Sequence, residues 1–167
     1  EMCREEGVNL QRGMNFRLNG KTTVILMSLR PGAPYADRVE EDGRVLIYEG
    51  HDKPRRVGGQ NPKSTDQPMK NPGGSLTQNG LFYDAALKFK RDHGKAELVK
   101  VYEKIRSGIW VFNGIFKLVD AWQEASNKRK VFKFKLQIAD DAEISNVQPS
   151  DLDHNRLIPA SVKIEVW

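Results

Sequence analysis

The sequence predicts an α+β domain: a curved, barrel-like, mostly antiparallel sheet with flanking helices. Three observations point there. Residues 23–29 (TVILMSL) form one unbroken apolar run, as a central strand does. Residues 131–138 alternate, with Phe132, Phe134 and Leu136 on one side and Lys133, Lys135 and Gln137 on the other. That is the pattern of a half-buried strand with a basic outer face. Leu81, Phe82, Ala85, Ala86 and Phe89 recur at helical spacing and predict a helix over 80–93. Many short strands with one clear helix give the α+β class.

The elements follow in order. Gly13 to Phe16 closes a polar entry segment. The run 23–29 is ended by Pro31-Gly32-Ala33-Pro34, which forces a turn. Asp42-Gly43 turns the chain into a second short strand, 44–48. Residues 49–75 hold many glycines, prolines and polar groups without periodicity, so they read as a long functional or disordered loop. The helix follows, with Gly94 just past its last turn as a stop. Residues 97–105 alternate as a strand, and 110–112 and 115–122 are strand-like on either side of Asn113-Gly114. Lys128, Arg129 and Lys130 fall in a hairpin turn, where a solvated role outweighs a phosphate contact. Residues 139–156 are acidic and polar and read as a linker. A helical pattern restarts at 159–167.

Composition narrows the function classes. The chain has 167 residues, 38% of them apolar, enough for one domain with a core. No apolar run approaches the roughly 18 residues of a membrane span. The mixed charges of the first six residues do not make a signal peptide. A start at Glu1 without methionine is expected of a trimmed piece. A single cysteine, Cys3, excludes an internal disulfide and a multi-cysteine zinc site, and fits a reducing, cytoplasmic setting. Net charge is +5, unevenly spread: 13 basic and 5 acidic residues over 88–135, against 2 and 6 over 136–167. A basic middle suits a polyanion met by one face, with a solvated lysine-rich surface as the alternative. His51, His93 and His154 lack metal-ligand spacing and read as loop or surface residues. No phosphate-cradling glycine loop or nucleophile motif is present, so no catalytic residue, metal or cofactor is assigned and the chain is not read as an enzyme.

Four stretches, in order, resemble the SRA (YDG) domain over about residues 11–138. They are Pro34-Tyr35-Ala36-Asp37 with Asp42-Gly43 and Tyr48-Glu49-Gly50; Asp66-Gln67; Leu76-Thr77-Gln78-Asn79-Gly80; and Phe112-Asn113-Gly114-Ile115-Phe116-Lys117-Leu118-Val119. The departures are specific. The family's Tyr-Asp-Gly is Phe112-Asn113-Gly114 here, which keeps the packing and loses a hydroxyl and a charge. The segment between the two tyrosines looks one residue longer than in eukaryotic members. The chain looks closer to prokaryotic members fused to nucleases. Residues 156–167 resemble the lead-in helix of an HNH nuclease domain, which the chain would enter at 157–167 and leave before the metal-binding segment.

The resemblance implies an SRA/PUA-like fold and a reader of 5-methyl- or 5-hydroxymethylcytosine in duplex DNA. Such a reader flips the base out of the stack and targets the nuclease to modified sites. Flipping costs a few kcal/mol, which aromatic stacking at about 1–3 kcal/mol per base can return. Tyr35 and Tyr48 are the implied stacking faces. A carboxylate accepts from the cytosine amino group and rejects the carbonyl of thymine. Asp37 is the first choice for it, with Glu40 and Glu41 open, while Glu49 is divided between pocket and surface. Lys53, Arg55, Arg56 and Lys63 in the flexible loop suit a wedge and phosphate clamp. Asp66, Gln67, Asn79, Phe112, Asn113 and Gly114 are motif positions with structural roles. The expected partner is double-stranded DNA, with a homodimer possible through the absent C-terminal domain. A divalent metal belongs to that nuclease domain, and the setting is a prokaryotic cytoplasm. The competing reading is a basic nucleic-acid-binding module that does not flip a base.

Overall fold

The structure is a computed structural model and describes Cys3, Leu10 and residues 12–144. Its strands are β1 (Met14–Leu18), β2 (Thr22–Met27), β3 (Arg38–Glu40), β4 (Val45–Glu49), β5 (Glu97–Arg106), β6 (Ile109–Ser126) and β7 (Arg129–Ile138). Its helices are α1 (Gln78–Asp92) and the single-turn α2 (Asp141–Ile144). The strands form one sheet in the order β1-β2-β5-β6-β7-β4-β3. Among the described residues only β2 and β5 pair in parallel, and every other neighbouring pair is antiparallel. The α+β class with a mostly antiparallel sheet therefore holds.

The sheet curls. β2 and β4 have three strands between them in the sheet order. Yet the Tyr48 hydroxyl on β4 donates toward the carbonyls of Gly13 and Leu26, at 3.1 and 3.3 Å. Polar bonds between distant strands require the sheet to close on itself, which shapes a concave face. α1 fills that face. Phe82 and Ala86 are buried, and Phe82 meets Phe16 and Phe134 with ring centres 5.6 and 5.7 Å apart. Met14, Ile25, Val99, Phe116, Phe132 and Leu136 complete one core.

Local chemistry sets the ends of α1. Thr77 is the N-cap, its Oγ1 accepting from Gly80 N at 3.2 Å. Gly80 must lack a side chain, because a Cβ there would meet Leu76 Cδ2 at 2.9 Å and the Met69 carbonyl closer still. The left-handed residue at the far end is His93 (φ 49°), one position before the glycine expected to stop the helix.

Four further differences from expectation have physical causes. The entry segment is not merely polar: Met14 to Leu18 form β1, disguised by a left-handed Arg17 (φ 46°). β3 is three mostly exposed residues without a periodic signal. Residues 110–112 and 115–122 belong to one strand, β6, in which Asn113 is extra: Gly114 faces Val101 and Phe112 faces Tyr102. This is a bulge, and Gly114 (φ 113°) supplies the conformation it needs. Finally, the outer face of β7 is not solvated throughout, since Lys133 is buried. Of the stretch expected as a linker, residues 139–144 bury Ala139 and Ile144 against Ile115. The remainder, and the HNH-like start at 157–167, lie outside the described residues. Among the described residues no helix is long and apolar enough to cross a membrane.

Candidate functional site

The curl brings the end of β2 beside the end of β4, and Asp37 sits between them. One carboxylate oxygen accepts from Ser28 N at 3.2 Å, the other from Glu49 N at 3.0 Å. Burial is the larger influence on this group and raises its pKa to about 6, against those two backbone bonds. Asp37, Tyr35 and His51 line one cavity of about 480 Å³, walled also by Met27, Pro34 and Trp110. Of the three acids left open by the sequence, Asp37 alone is in that lining. Glu40 is exposed on β3 and paired with Arg38 at 2.9 Å. Glu41 is exposed in the turn that follows.

Tyr35 is half-buried and carries an unexpected partner. The His51 ring lies parallel to it, centres 4.5 Å apart and planes within 6°. The Lys63 ammonium is 4.1 Å from the centre of the same tyrosine ring. Tyr35 Oη accepts from Asp52 N at 3.3 Å, and burial raises its pKa. Tyr48 is fully buried and does not line the cavity. Its hydroxyl lies 2.8 Å from His51 Nε2. The two tyrosines thus converge on His51, which is neither a surface nor a simple loop residue. Burial lowers its pKa to about 4, so the ring is neutral at pH 7. His93 is exposed at the end of α1, and His154 lies outside the described residues.

Behind this pocket is a buried ionic network. Glu49, only 4% exposed, accepts from Ala36 N at 3.1 Å and from Lys133 Nζ at 2.9 Å. Lys133 also donates to the Ala36 carbonyl at 3.0 Å. The pair therefore holds the Ala36 peptide from both sides and fixes the directions of Tyr35 and Asp37. Glu49 is placed as a positioning residue rather than on the cavity wall. Arg129, 7% exposed, donates to Asp52 at 2.6 Å and to the carbonyls of Pro62 and Thr65 at 3.2 Å each. Burial works against the Asp52 carboxylate. Hydrogen bonds from Arg129, Lys63 and Gln67 nevertheless hold its pKa below the usual range. Arg129 therefore leaves the expected solvated turn, which consists of Asn127 and Lys128 in left-handed conformations.

The motif residues dock the long loop. Asp66 accepts from Lys130 N at 2.8 Å. Gln67 donates to the Gly50 carbonyl at 2.6 Å and accepts from Phe132 N at 2.8 Å. Asn79 accepts from His51 N and donates to His51 O, both at 2.8 Å, acting as a piece of strand in side-chain form. Gly50 is caught among these groups: a Cβ there would meet Asn79 Oδ1 at 2.7 Å and Gln67 Oε1 at 2.8 Å. Phe112, Asn113 and Gly114 lie elsewhere, at the β6 bulge. Phe112 packs on Tyr102 with ring centres 5.2 Å apart, and buried Asn113 donates to Glu103 at 2.8 Å.

The expected DNA-contact residues divide. Lys63 is ion-paired with Asp52 at 2.9 Å and donates to the Pro34 carbonyl. Lys53 and Arg56 instead line a groove of about 1000 Å³ with Arg12, Lys70, Asn71 and Gln60. Arg55 is exposed beside it. Gly13 and His51 line both groove and cavity, so the two spaces share a wall. Sequence reasoning missed His51, Asp52, Arg129 and Lys133. The available signal for His51 was its place directly after Tyr48-Glu49-Gly50. Among the described residues no group of three or more His, Cys, Asp or Glu could hold a metal ion.

No protein-family model matches the chain, and no curated protein matches it in sequence. Solved structures do match in fold. The SUVH5 SRA domain in complex with hemi-methylated CG DNA aligns at 22% identity and a TM-score of 0.55, covering 83% of this chain and 81% of that one. The SUVH5 SRA domain bound to fully hydroxymethylated CG DNA aligns at 23% and 0.54, covering 83% and 82%. Its complex with methylated CHH DNA aligns at 21% and 0.51, covering 78% and 75%. On these alignments this chain has a fold similar to that of SRA domains.

Proposed function

We propose that this chain recognises a modified cytosine in duplex DNA and takes the flipped base into the cavity between Tyr35 and Asp37. One observation carries the reading: an aromatic face and a partly buried carboxylate line the same cavity of about 480 Å³. The carboxylate is held by two backbone N–H groups and offers an acceptor to a cytosine amino group. The adjoining groove, with Arg12, Lys53, Arg56 and Lys70, suits the phosphates on either side of the extruded nucleotide. Likeness in fold to domains complexed with methylated and hydroxymethylated DNA supports the same reading.

In this proposal the chain is a reader and not an enzyme. It directs a C-terminal HNH endonuclease, which would bring the divalent metal and a dimer contact. Residues 157–167, on which that part rests, lie outside the described residues. The deciding experiment is fluorescence-polarisation binding to three matched duplexes whose central cytosine is unmodified, 5-methyl or 5-hydroxymethyl. Preference for one modified duplex is the expected result. Equal, salt-sensitive binding to all three would overturn the proposal in favour of a basic module that does not flip a base.

A further inference from the structure

The stacking face of Tyr35 is already in use. A planar, neutral aromatic ring, His51, lies on it at 4.5 Å and 6°, in the geometry a stacked pyrimidine would adopt. The imidazole is also held at its edge, with Nε2 2.8 Å from the Tyr48 hydroxyl. Below it Gly13 is bare backbone, and a Cβ there would run into the His51 ring and come within 3.0 Å of Tyr48 Oη. The histidine thus has a fitted seat made of Tyr35, Tyr48 and Gly13.

We propose that His51 is a resident stand-in for the flipped base, and that it must swing off Tyr35 before a nucleobase can stack there. This rests on the reading that the cavity takes a flipped cytosine. Two features make the swing feasible. The His51 backbone is fixed in both directions by Asn79, so the movement is confined to the side chain. His51 also borders the groove of about 1000 Å³, which has room to receive the ring. The consequence is a competition: every modified site must displace an intramolecular aromatic pair before it gains its own. The seat also limits what is admitted, since it was shaped around a single ring.

The test is to measure His51→Ala against the wild-type chain on 5-methylcytosine and unmodified duplexes. Relief of one aromatic pair should tighten binding to the modified duplex about 3- to 10-fold. The unmodified duplex, held by phosphate contacts, serves as the reference, and the ratio of the two affinities should shift toward the modified duplex. Unchanged or weaker binding of the modified duplex by His51→Ala would overturn the stand-in role, and weaker binding would make His51 a second stacking face instead. A wild-type chain with no preference for the modified duplex would defeat the flipped-base reading itself, and this inference with it. A measurement on the wild-type chain does not depend on the variant folding. Proton contacts between the His51 and Tyr35 rings, read by NMR, should be present in the free chain and lost when the 5-methylcytosine duplex is added. Their persistence in the complex overturns the proposal.

Discussion

Residues 53–60 (KPRRVGGQ) and 61–67 (NPKSTDQ) are two halves of one loop with opposite fates. The second half is tied down. Arg129 bonds two of its carbonyls, Asn61 caps its short helical turn, and Asp66 and Gln67 join it to β7. In the first half Lys53, Arg55 and Arg56 make no ion pair or side-chain hydrogen bond among the described residues, and a backbone bond from Gly59 N to the Arg56 carbonyl shapes its turn. The difference teaches how a basic loop serves two purposes. Cations facing buried acids build the wall of the pocket, while cations facing solvent remain available to a polyanion.

The comparison breaks most severely at its buried end. Arg129→Ala leaves Asp52 without its strongest partner in a buried setting, and should destabilise the chain by about 3–5 kcal/mol in chemical denaturation. Lys133→Ala should cost a similar amount by stranding Glu49, and should free the Ala36 peptide that orients Tyr35 and Asp37. Gly50→Ala should cost about 1–3 kcal/mol by overpacking, read from the same curves. If either charge variant lost less than Gly50→Ala, the ionic network would not be what anchors the second half.

Binding sharpens the contrast. Tyr35→Ala should cost about 1–3 kcal/mol on the modified duplex and little on the unmodified one, so the ratio of affinities is the quantity to follow. Tyr48 does not offer this clean test, because truncating a buried core residue destabilises the fold and weakens binding to both duplexes.

A pH titration isolates Asp37. Its folded pKa is about 6, above the ordinary 3.8, so between those values the folded chain holds more protons than the unfolded one. Stability contributed by this group therefore falls as pH rises through that window and levels off above it. His51, lowered to about 4, contributes the opposite slope over much of the same window, so Asp37→Asn should make the urea midpoint rise more steeply with pH than in the wild-type chain. An identical slope in the variant would assign the effect to another group.

The smallest effect on stability belongs to the free half. Arg55→Ala with Arg56→Ala should alter stability by no more than about 0.5 kcal/mol for each change. Binding to every duplex should weaken, and the dependence of affinity on salt should flatten. An unchanged salt slope would place the DNA on a different face.

How much of this the sequence disclosed depended on whether the signal was local. β2, β4, α1 and β7 were legible because apolar runs and helical spacing are properties of neighbours in the chain. β1 was hidden by one left-handed residue, and the unity of β6 by one extra residue at Asn113. In the site, Tyr35 and Asp37 were reached through motif resemblance, and the structure gathers them at one cavity. Lys133 and Arg129 were misjudged because alternation reports which side of a strand a residue occupies, not what covers that side. Their partners, Glu49 and Asp52, are far away in sequence. His51 had only its position after a motif to mark it, and loop position says nothing about what a ring will stack on.

The single parallel pairing in the sheet has a consequence for how the protein comes together. Thr23 of β2 lies beside Val99 of β5, and the whole chain from Tyr35 to Asn79 is threaded through the connection between them. Closing so long a loop is entropically slow, and contacts of this sequence separation form late in folding. The pairing of β4 with β7 closes a still longer stretch, from Glu49 to Lys133, so the segment that carries Tyr35 and Asp37 is tied down at both ends by late contacts. Refolding followed by an intrinsic probe of the sheet and by binding of a labelled duplex should show the two signals rising together, with no interval in which a finished sheet lacks its pocket.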